Sequence, residues 1–308
     1  MTRSIRLQFC RLAELPFKPT LVALVLLALL TGCESGPSDV RTPEKPQRIV
    51  SLVPTVTEIL FAIGAGDRVV GISDFDTYPP EALDRPRVGA LINPNLEAIF
   101  ELRPDLVITY GTQSLLQERL AVVGIRQFSF VTGPTEHILD SIRDLGHEVG
   151  LDENSALLAG QIHDVLESLR RTRPPDPPRV LLVHSRDVGT MGSFYSAGSD
   201  SYFGELIDIA GGRNLFDDVA ANAFQPSLEE ALDREPEVII ELLPSDQGGE
   251  TRIALRHQDW NALTSIPAVQ NGRVYILADD YLLLVGPRLH QVARDLANVI
   301  RTDSVTQR

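Results

Sequence analysis

The chain has 308 residues, of which 43% are hydrophobic and 23% are charged, and this balance is typical of a soluble globular protein. Its net charge of −14 argues against nucleic-acid binding, because an acidic surface repels phosphate backbones and no basic stripe interrupts it. The length exceeds that of one ordinary core and favours two lobes.

The first 32 residues have the order of an export signal, with four basic residues before a short apolar run. That run is too short to span a bilayer, which needs about 20 apolar residues. LTGC at 30–33 resembles the bacterial lipobox, which implies a lipid on Cys33; the alternative is a plain signal peptide. Cys10 leaves with the leader, so we expect no disulfide. The polar segment 33–47 is predicted to be a flexible tether.

From residue 48, β-branched runs alternate with amphipathic helical patterns, which predicts a parallel sheet covered on both faces. We expect this first lobe to span 48–150. Its predicted strands are 48–52, 69–73, 105–110 and 125–130, and its predicted helices are 54–66, 95–102, 114–124 and 135–150.

A long helical pattern at 151–173 follows, with its apolar residues largely on one side. The sequence PPDPP at 174–178 ends it, because proline cannot continue a helix. The alternation of strands and helices then restarts in a second lobe, predicted at 174–301, with a short tail at 302–308. The fold class is therefore predicted to be α/β, with two doubly wound parallel-sheet lobes joined by one long backbone helix.

One pattern occurs in both lobes, as NPNLEAIFELRPDLVI at 93–108 and QPSLEEALDREPEVII at 225–240. Each copy begins a helix with a capping residue and puts a glutamate, Glu97 or Glu229, in the first turn. Carboxylates there stabilise a helix by about 0.3–1 kcal/mol, so either glutamate alone needs no functional explanation. Their equivalent places in two lobes predict one acidic contact on each lobe for a two-fold-related partner.

Several segments carry a family resemblance in the same order along the chain. They are RIVSLVPTVTEILFAIGAGDRVVGIS at 48–73, YPP at 78–80, the first copy of the repeated pattern, GG at 211–212 and GPRL at 286–289. The chain resembles the periplasmic iron-siderophore and vitamin B12 substrate-binding proteins of ABC importers, most closely the cobalamin-binding branch. The resemblance implies a monomeric two-lobed receptor of the cell envelope, anchored to the membrane by lipid, that binds its ligand between the lobes.

The resemblance also implies a partner. In this family, a glutamate in each copy of the repeated pattern docks onto arginines of the two permease subunits. These positions are Glu97 and Glu229 here, and the adjacent Glu230 is an alternative in the second lobe.

Aromatic residues gather where strands are predicted to end, which is where ligands bind in doubly wound sheets. Flat aromatic walls with a few polar groups suit a large planar ligand such as a corrin. The predicted ligand-binding residues are Tyr78, Tyr110, Phe194, Tyr281 and Arg288, with Tyr195 beside Phe194 in the segment 191–198.

The resemblance implies a specific role in ligand binding for some of these residues. Tyr78 matches a tyrosine that stacks on the corrin, while Tyr110 and Tyr281 replace tryptophans of the cobalamin binder. Leu91 and Leu284 depart from a family tryptophan and arginine, so cobalamin, iron-siderophore and haem all stay open. Arg288 could pair with an anionic ligand or be structural.

Two rival interpretations are weaker, a bare-metal receptor and a secreted hydrolase, whereas haem stays open as a ligand. The six histidines are scattered, so a bare-metal site is not expected, and neither is a resident cofactor. A haem binder would need only one axial ligand, such as Tyr78, Tyr110 or His184. A secreted hydrolase lacks the G-x-S-x-G and H-E-x-x-H motifs, although the pairs Asp74/Asp76 and Asp279/Asp280 could supply carboxylates. We therefore predict a binding protein rather than an enzyme.

Overall fold

The computed structural model describes residues 45–111, 113–244 and 247–302. The predicted export signal, Cys33, positions 33–44 of the predicted tether and the tail from 303 onward lie outside the described residues. Within these ranges, no helix has the length and apolarity needed to span a bilayer.

The first lobe is built on four strands and four helices. They are β1 (Ile49–Ser51), α1 (Pro54–Ala62), β2 (Val69–Ile72), α2 (Leu96–Glu101), β3 (Leu106–Tyr110), α3 (Ser114–Val122), β4 (Arg126–Phe130) and α4 (Thr135–Val149). All four strands are parallel, in the order β2-β1-β3-β4. β1 is buried throughout and β3 in all but its last residue, because helices cover both faces of the sheet.

The lobes are linked by helix α5 (Asp152–Arg171), which occupies the segment predicted for it at 151–173. Gly150 adopts the left-handed conformation that ends α4 and turns the chain into α5. The buried residues of α5 form one stripe at helical spacing, namely Ser155, Ala159, Ile162 and Leu166. Its apolar members belong to a single core cluster that contains strands and helices of both lobes. The lobes are therefore packed as one body around α5.

The second lobe contains the remaining elements. They are β5 (Arg179–Arg186), β6 (Phe194–Ala197), α6 (Tyr202–Ala210), β7 (Arg213–Asn214), β8 (Ala223–Phe224), α7 (Leu228–Asp233), β9 (Val238–Leu243), α8 (Glu250–Asn261), α9 (Pro267–Gln270), β10 (Val274–Ala278) and α10 (Leu289–Arg301). The sheet order is β10-β9-β5-β6-β8, and β7 pairs with the start of β5.

The α/β class and the two-lobed architecture are confirmed, but the second sheet is not parallel throughout. β6 runs antiparallel to β5, and β8 runs antiparallel to β6. The connection between β5 and β6 spans only 187–193, whereas a parallel crossover needs about a dozen residues or more. The chain therefore returns beside β5 in the opposite direction, and the prediction of an all-parallel second sheet is wrong.

The two copies of the repeated pattern also fold alike at the amino ends of the strands. Arg103 and Glu235, which lie 132 positions apart, both have a positive φ, +46° and +51°. In each copy, an arginine at the start of a strand donates a side-chain hydrogen bond to the backbone carbonyl oxygen of this positive-φ residue. Arg48 reaches that of Arg103 at 3.2 Å, and Arg179 reaches that of Glu235 at 2.8 Å. The left-handed conformation costs an ordinary residue about 1–2 kcal/mol, and these hydrogen bonds offset part of that cost.

An acidic residue completes the same junction in each lobe. The carboxylate of Asp105 accepts from the backbone N–H of Arg48 at 3.0 Å, and that of Glu237 accepts from Arg179 at 2.9 Å. The backbone N–H groups of the two acidic residues donate in return to the carbonyl oxygens of the same arginines, both at 2.9 Å. The repeated sequence thus specifies a set of hydrogen bonds at the start of a neighbouring strand, which we call the strand junction, as well as an exposed glutamate.

Candidate ligand cleft and docking surface

The lobes meet at the segments that follow the carboxyl ends of their strands. The central contact is an ion pair between Glu58 on α1 and Arg288 just before α10. Arg288 donates from Nε and Nη2 to the two carboxylate oxygens of Glu58, at 2.8 and 2.6 Å, and from Nη1 to Asp280 at 2.8 Å. Its guanidinium carbon lies 4.0 Å from the ring centroid of Tyr78 and 5.2 Å from that of Tyr281. Arg288 is thus a bridge between lobes.

The sequence left two roles open for Arg288, pairing with an anionic ligand and a structural contact. The guanidinium edge that could bind a ligand through two hydrogen bonds already pairs with Glu58, whose side chain is only 3% exposed. Gly286 fits beside it because its backbone packs against Thr55 of the first lobe, where an added Cβ would lie 3.1 Å from the Thr55 methyl carbon. An anionic ligand would have to displace a protein carboxylate to use that edge. The structure therefore favours the structural role.

A second contact joins the lobes at the start of α4. The backbone N–H and the hydroxyl of Thr135 donate to the carboxylate of Glu205 on α6, at 2.7 and 2.6 Å. The residue before the helix, Pro134, makes no side-chain capping bond of its own. Glu205 therefore supplies from the second lobe the acceptor and the negative charge that a helix N-terminus favours.

Aromatic side chains lie between and beside these contacts. Tyr110 shares a 2.7 Å hydrogen bond with the hydroxyl of Thr132. In the second lobe, His184 stacks on Phe203 with 5.8 Å between ring centroids and lies 6.0 Å from the ring of Tyr195. Burial lowers the pKa of His184, so its imidazole is neutral at pH 7. Both lobes therefore present aromatic rings at their strand ends.

The structure places the predicted ligand residues unequally. Tyr78 is 38% exposed, and Tyr110 and Tyr281 are half-buried. Tyr281 donates its hydroxyl to Asp295 at 2.7 Å, and burial raises its pKa. A cavity of about 550 Å³ between the first lobe, the linking helix and the start of α10 includes Tyr78 and Arg288 in its lining. This volume falls within the usual range of ligand pockets.

Phe194 does not face this space. Its side chain is fully buried and packs edge-on against Trp260, with 6.3 Å between ring centroids, in the core of the second lobe. Successive side chains of a strand point to opposite faces, and Phe194 begins β6. The next residue, Tyr195, is 42% exposed. The burial of Phe194 therefore contradicts its prediction as a ligand contact, and Tyr195 is its exposed aromatic neighbour.

One buried acid near the Glu58 bridge was not recognised as such from the sequence. Asp76 is 1% exposed, accepts from the backbone N–H of Ser73 at 2.8 Å through one oxygen, and has no hydrogen-bond partner among the described residues for the other. Burial raises the pKa of Asp76 to about 6 and also raises that of Glu58. The sequence gives no signal of this burial, because Asp76 lies in a polar loop. Its neighbours Asp74 and Phe75 are exposed.

The two repeated glutamates are both exposed and sit at capped helix starts. The side chain of Asn95 accepts from the backbone N–H of Ala98 at 3.1 Å, and Ser227 accepts from that of Glu230 at 3.0 Å. Neither Glu97 nor Glu229 forms an ion pair within the described part of the chain. In contrast, the half-buried Glu230 pairs with Arg234 at 3.3 Å, so Glu229 is the more available of the two neighbours.

Both helices start on the cleft side of their lobes. The backbone N–H of Asn95 donates to the carbonyl of Val88, whose own N–H donates to Ile72 at the end of β2. In the second lobe, Gln225, two residues before the cap of α7, contacts the side chain of Ser193 beyond the end of β5. Since the carboxyl ends of the strands face the cleft, the acidic residues lie at its two rims.

Among the described residues, no group of three or more histidine, cysteine, aspartate or glutamate side chains is arranged so that it could hold a metal ion.

Comparisons with known proteins give one consistent result. Residues 49–281 match the family described as periplasmic binding protein. The vitamin B12-binding protein of Vibrio cholerae serotype O1 is 30% identical over 257 residues, covering 82% of this chain and 88% of that protein. Among solved structures, the periplasmic vitamin B12-binding protein BtuF of Vibrio cholerae has a TM-score of 0.70 at 28% identity, covering 85% of this chain and 99% of that one. The periplasmic haem-binding protein RhuT of Roseiflexus sp. RS-1 has a TM-score of 0.68 at 28% identity, covering 82% and 97%.

The buried Asp76 predicts a pH dependence of stability. Its pKa of about 6 lies above the ordinary 3.8, so between these values the folded protein holds a proton that the unfolded chain releases. The free energy of unfolding should therefore fall by up to about 3 kcal/mol as the pH rises through this window. We expect Asp76→Asn to reduce that slope by the contribution of Asp76 and to be more stable than the wild type at pH 7.5 in urea unfolding. Asp74→Asn, at an exposed neighbour, should keep the slope; an unchanged slope in Asp76→Asn would refute the assignment.

The interlobe bridge predicts a second effect. Arg288→Met leaves Glu58 buried without its cation, and breaking a buried pair in this way costs about 3–5 kcal/mol. The loss should be greatest at pH 7.5 and should shrink towards pH 5, because the unpaired carboxyl of Glu58 then takes up a proton. Urea unfolding at both pH values measures it, and Glu58→Gln combined with Arg288→Met should recover part of the stability. Equal losses for the single and double variants would show that the ion pair is not the cause.

Proposed function

The chain belongs to the periplasmic binding protein family, and on this premise we propose that it captures cobalamin between its lobes and delivers it to an ABC permease. Binding proteins of this family take up small-molecule ligands and hand them to such permeases, and they are not enzymes. The observation that carries the ligand class, a flat macrocycle, is the presence of aromatic rings from both lobes at the strand ends. Aromatic rings offer flat apolar surfaces on which a macrocycle such as a corrin can stack.

Charge at the bridge argues against a strongly anionic ligand. Arg288 is already balanced by Glu58 and Asp280, so this part of the interlobe surface offers no surplus positive charge. Ferric siderophores that bind as anions would gain little from it. The relative of 30% identity is a vitamin B12-binding protein, which supports the same choice.

Haem is the second candidate, and one observation favours it. His184 is half-buried beside Phe203 and Tyr195, and its lowered pKa keeps the imidazole in the neutral form that coordinates iron. A haem-binding protein is among the similar structures. Haem and cobalamin are both flat macrocycles, so the aromatic walls alone do not separate them.

Titration of the ligand-free protein with cyanocobalamin, haemin and ferric siderophores decides between these ligands. We expect cyanocobalamin to bind with a stoichiometry of one, and Tyr195→Ala to weaken binding about tenfold through loss of ring contact. Leu157→Ala, at a 63% exposed position on the linking helix, serves as the control and should bind normally. Calorimetry and ligand absorbance are the measurements.

Each other outcome of this titration has a definite meaning. Haemin binding with an absorbance shift that His184→Ala removes would replace cobalamin by haem. If no compound binds at tens of micromolar, the proposed transport function is wrong.

We further propose that Cys33 carries the lipid that holds the receptor at the membrane outside the cytoplasm, and that Glu97 and Glu229 dock onto basic residues of two permease subunits. The lipobox-like sequence at 30–33 supports the first point. The second is supported by the exposure of both glutamates, their equivalent places in the repeat and their positions at the two rims of the cleft. Ion pairs at such a surface contribute to register and association rate and weaken with salt.

Charge reversal tests the docking surface. Glu97→Arg combined with Glu229→Arg should abolish cyanocobalamin uptake by cells, because two attractive contacts become repulsive, while the affinity of the purified protein for cyanocobalamin stays unchanged. The matched control is Glu153→Arg with Glu250→Arg, since both residues are exposed glutamates in the first turns of other helices. Normal uptake by the Glu97/Glu229 variant would remove the docking proposal.

A further inference from the structure

A groove of about 490 Å³ lies on the first lobe beside Glu97, between the loop at 91–94 and the start of α3. Most of its lining is apolar, and it shares no lining residue with the cavity beside the Glu58–Arg288 bridge. The apolar lining residues are Leu91, Ile92, Pro94, Leu96, Leu115 and Leu116.

Two of these residues are unusually exposed. Ile92 is 95% exposed and Leu115 is 74% exposed, and both line the same groove. Apolar residues exposed singly are common on protein surfaces, whereas a cluster around a concave surface marks a contact site. Removing both side chains from water would be favourable, at roughly 25 cal/mol per Å² of apolar surface.

The loop that carries Ile92 is held in place. Gly89 has a φ of +90° and pairs with Pro94, and a Cβ at Gly89 would lie 2.7 Å from the carbonyl oxygen of Asn93. The backbone N–H of Asn93 also donates to the carbonyl of Ala90 at 3.0 Å. These contacts fix the turn with Ile92 pointing away from the lobe.

In the second copy of the repeat, the residue equivalent to Ile92 packs against its own lobe. Phe224 lies 132 positions after Ile92, and its ring packs edge-on against Phe216 with 5.1 Å between centroids. The side chain is partly buried against the core of its own lobe. The acidic residues of the repeat are exposed in both lobes, but the apolar residue is exposed only in the first.

We propose that this groove is the apolar half of the permease contact on the first lobe, an inference that rests on the docking function proposed above. The occupant is an apolar side chain on an external loop of one permease subunit, next to the basic residue that pairs with Glu97. Continuity supports this choice, because Leu96 lines the groove and Glu97 follows it on α2. Arg119 also lines the groove, so a basic residue of the partner would be repelled there and attracted by Glu97.

The test compares two double variants of the full protein. Ile92→Ser with Leu115→Ser removes the apolar lining, whereas Val122→Ser with Val123→Ser changes residues that are 87% and 54% exposed outside the groove. Binding of the cyanocobalamin-loaded proteins to the cognate permease in lipid nanodiscs is measured at low and high salt. We expect the groove variant to bind at least about tenfold more weakly at both salt concentrations and the control to bind normally.

Every outcome bears on the groove. Unchanged permease binding by the Ile92/Leu115 variant overturns the proposal, and so does a loss of cyanocobalamin affinity, which would assign the groove to the ligand site. A wild-type dimer that the variant abolishes in sedimentation would assign it to a second copy of the chain. Failure of the docking function appears separately, as normal permease binding by the Glu97→Arg, Glu229→Arg variant, and failure of the ligand assignment appears as absent cyanocobalamin binding.

Discussion

The geometry of this protein depends on a buried carboxylate that needs a cation from the other lobe. Glu58 lies on the first helix and is almost fully buried, and its partner Arg288 lies 230 positions later, before the last helix. An unpaired charge at this depth would be strongly unfavourable. The lobes must therefore stay close enough to keep the pair formed, and the stacking of Tyr78 and Tyr281 on the same guanidinium reinforces that condition.

Two further features also restrict movement of the lobes relative to each other. The linking helix shares one apolar core with both lobes, and Glu205 caps α4 from across the interface. Three separated attachments oppose both hinge opening and twisting. A receptor held in this way binds its ligand on a largely preformed surface and keeps the spacing between the rims of the cleft nearly constant. Constant spacing is what the two proposed docking residues, Glu97 and Glu229, would need in order to meet two permease subunits at once.

The internal repeat explains why the surface is nearly, but not fully, symmetric. Both copies keep the strand junction, the helix cap and the exposed glutamate, since all three arise from the same short sequence. The apolar residue before the cap is exposed in the first lobe, as Ile92, whereas in the second lobe the ring of Phe224 packs against Phe216. The contact surface that we propose, with matching acidic positions and one apolar groove, follows from that difference.

The sequence alone determined the features that depend on local order along the chain. The alternation of elements, the long linking helix and the capped starts of α2 and α7 follow from periodicity, proline positions and capping residues within a few positions of each other. The tertiary structure decided the partner of Arg288, the burial of Asp76 and Phe194, and the antiparallel edge of the second sheet. Each of these depends on which distant segments pack together, and local composition carries no record of that, because a residue's burial is set by neighbours that the fold brings to it.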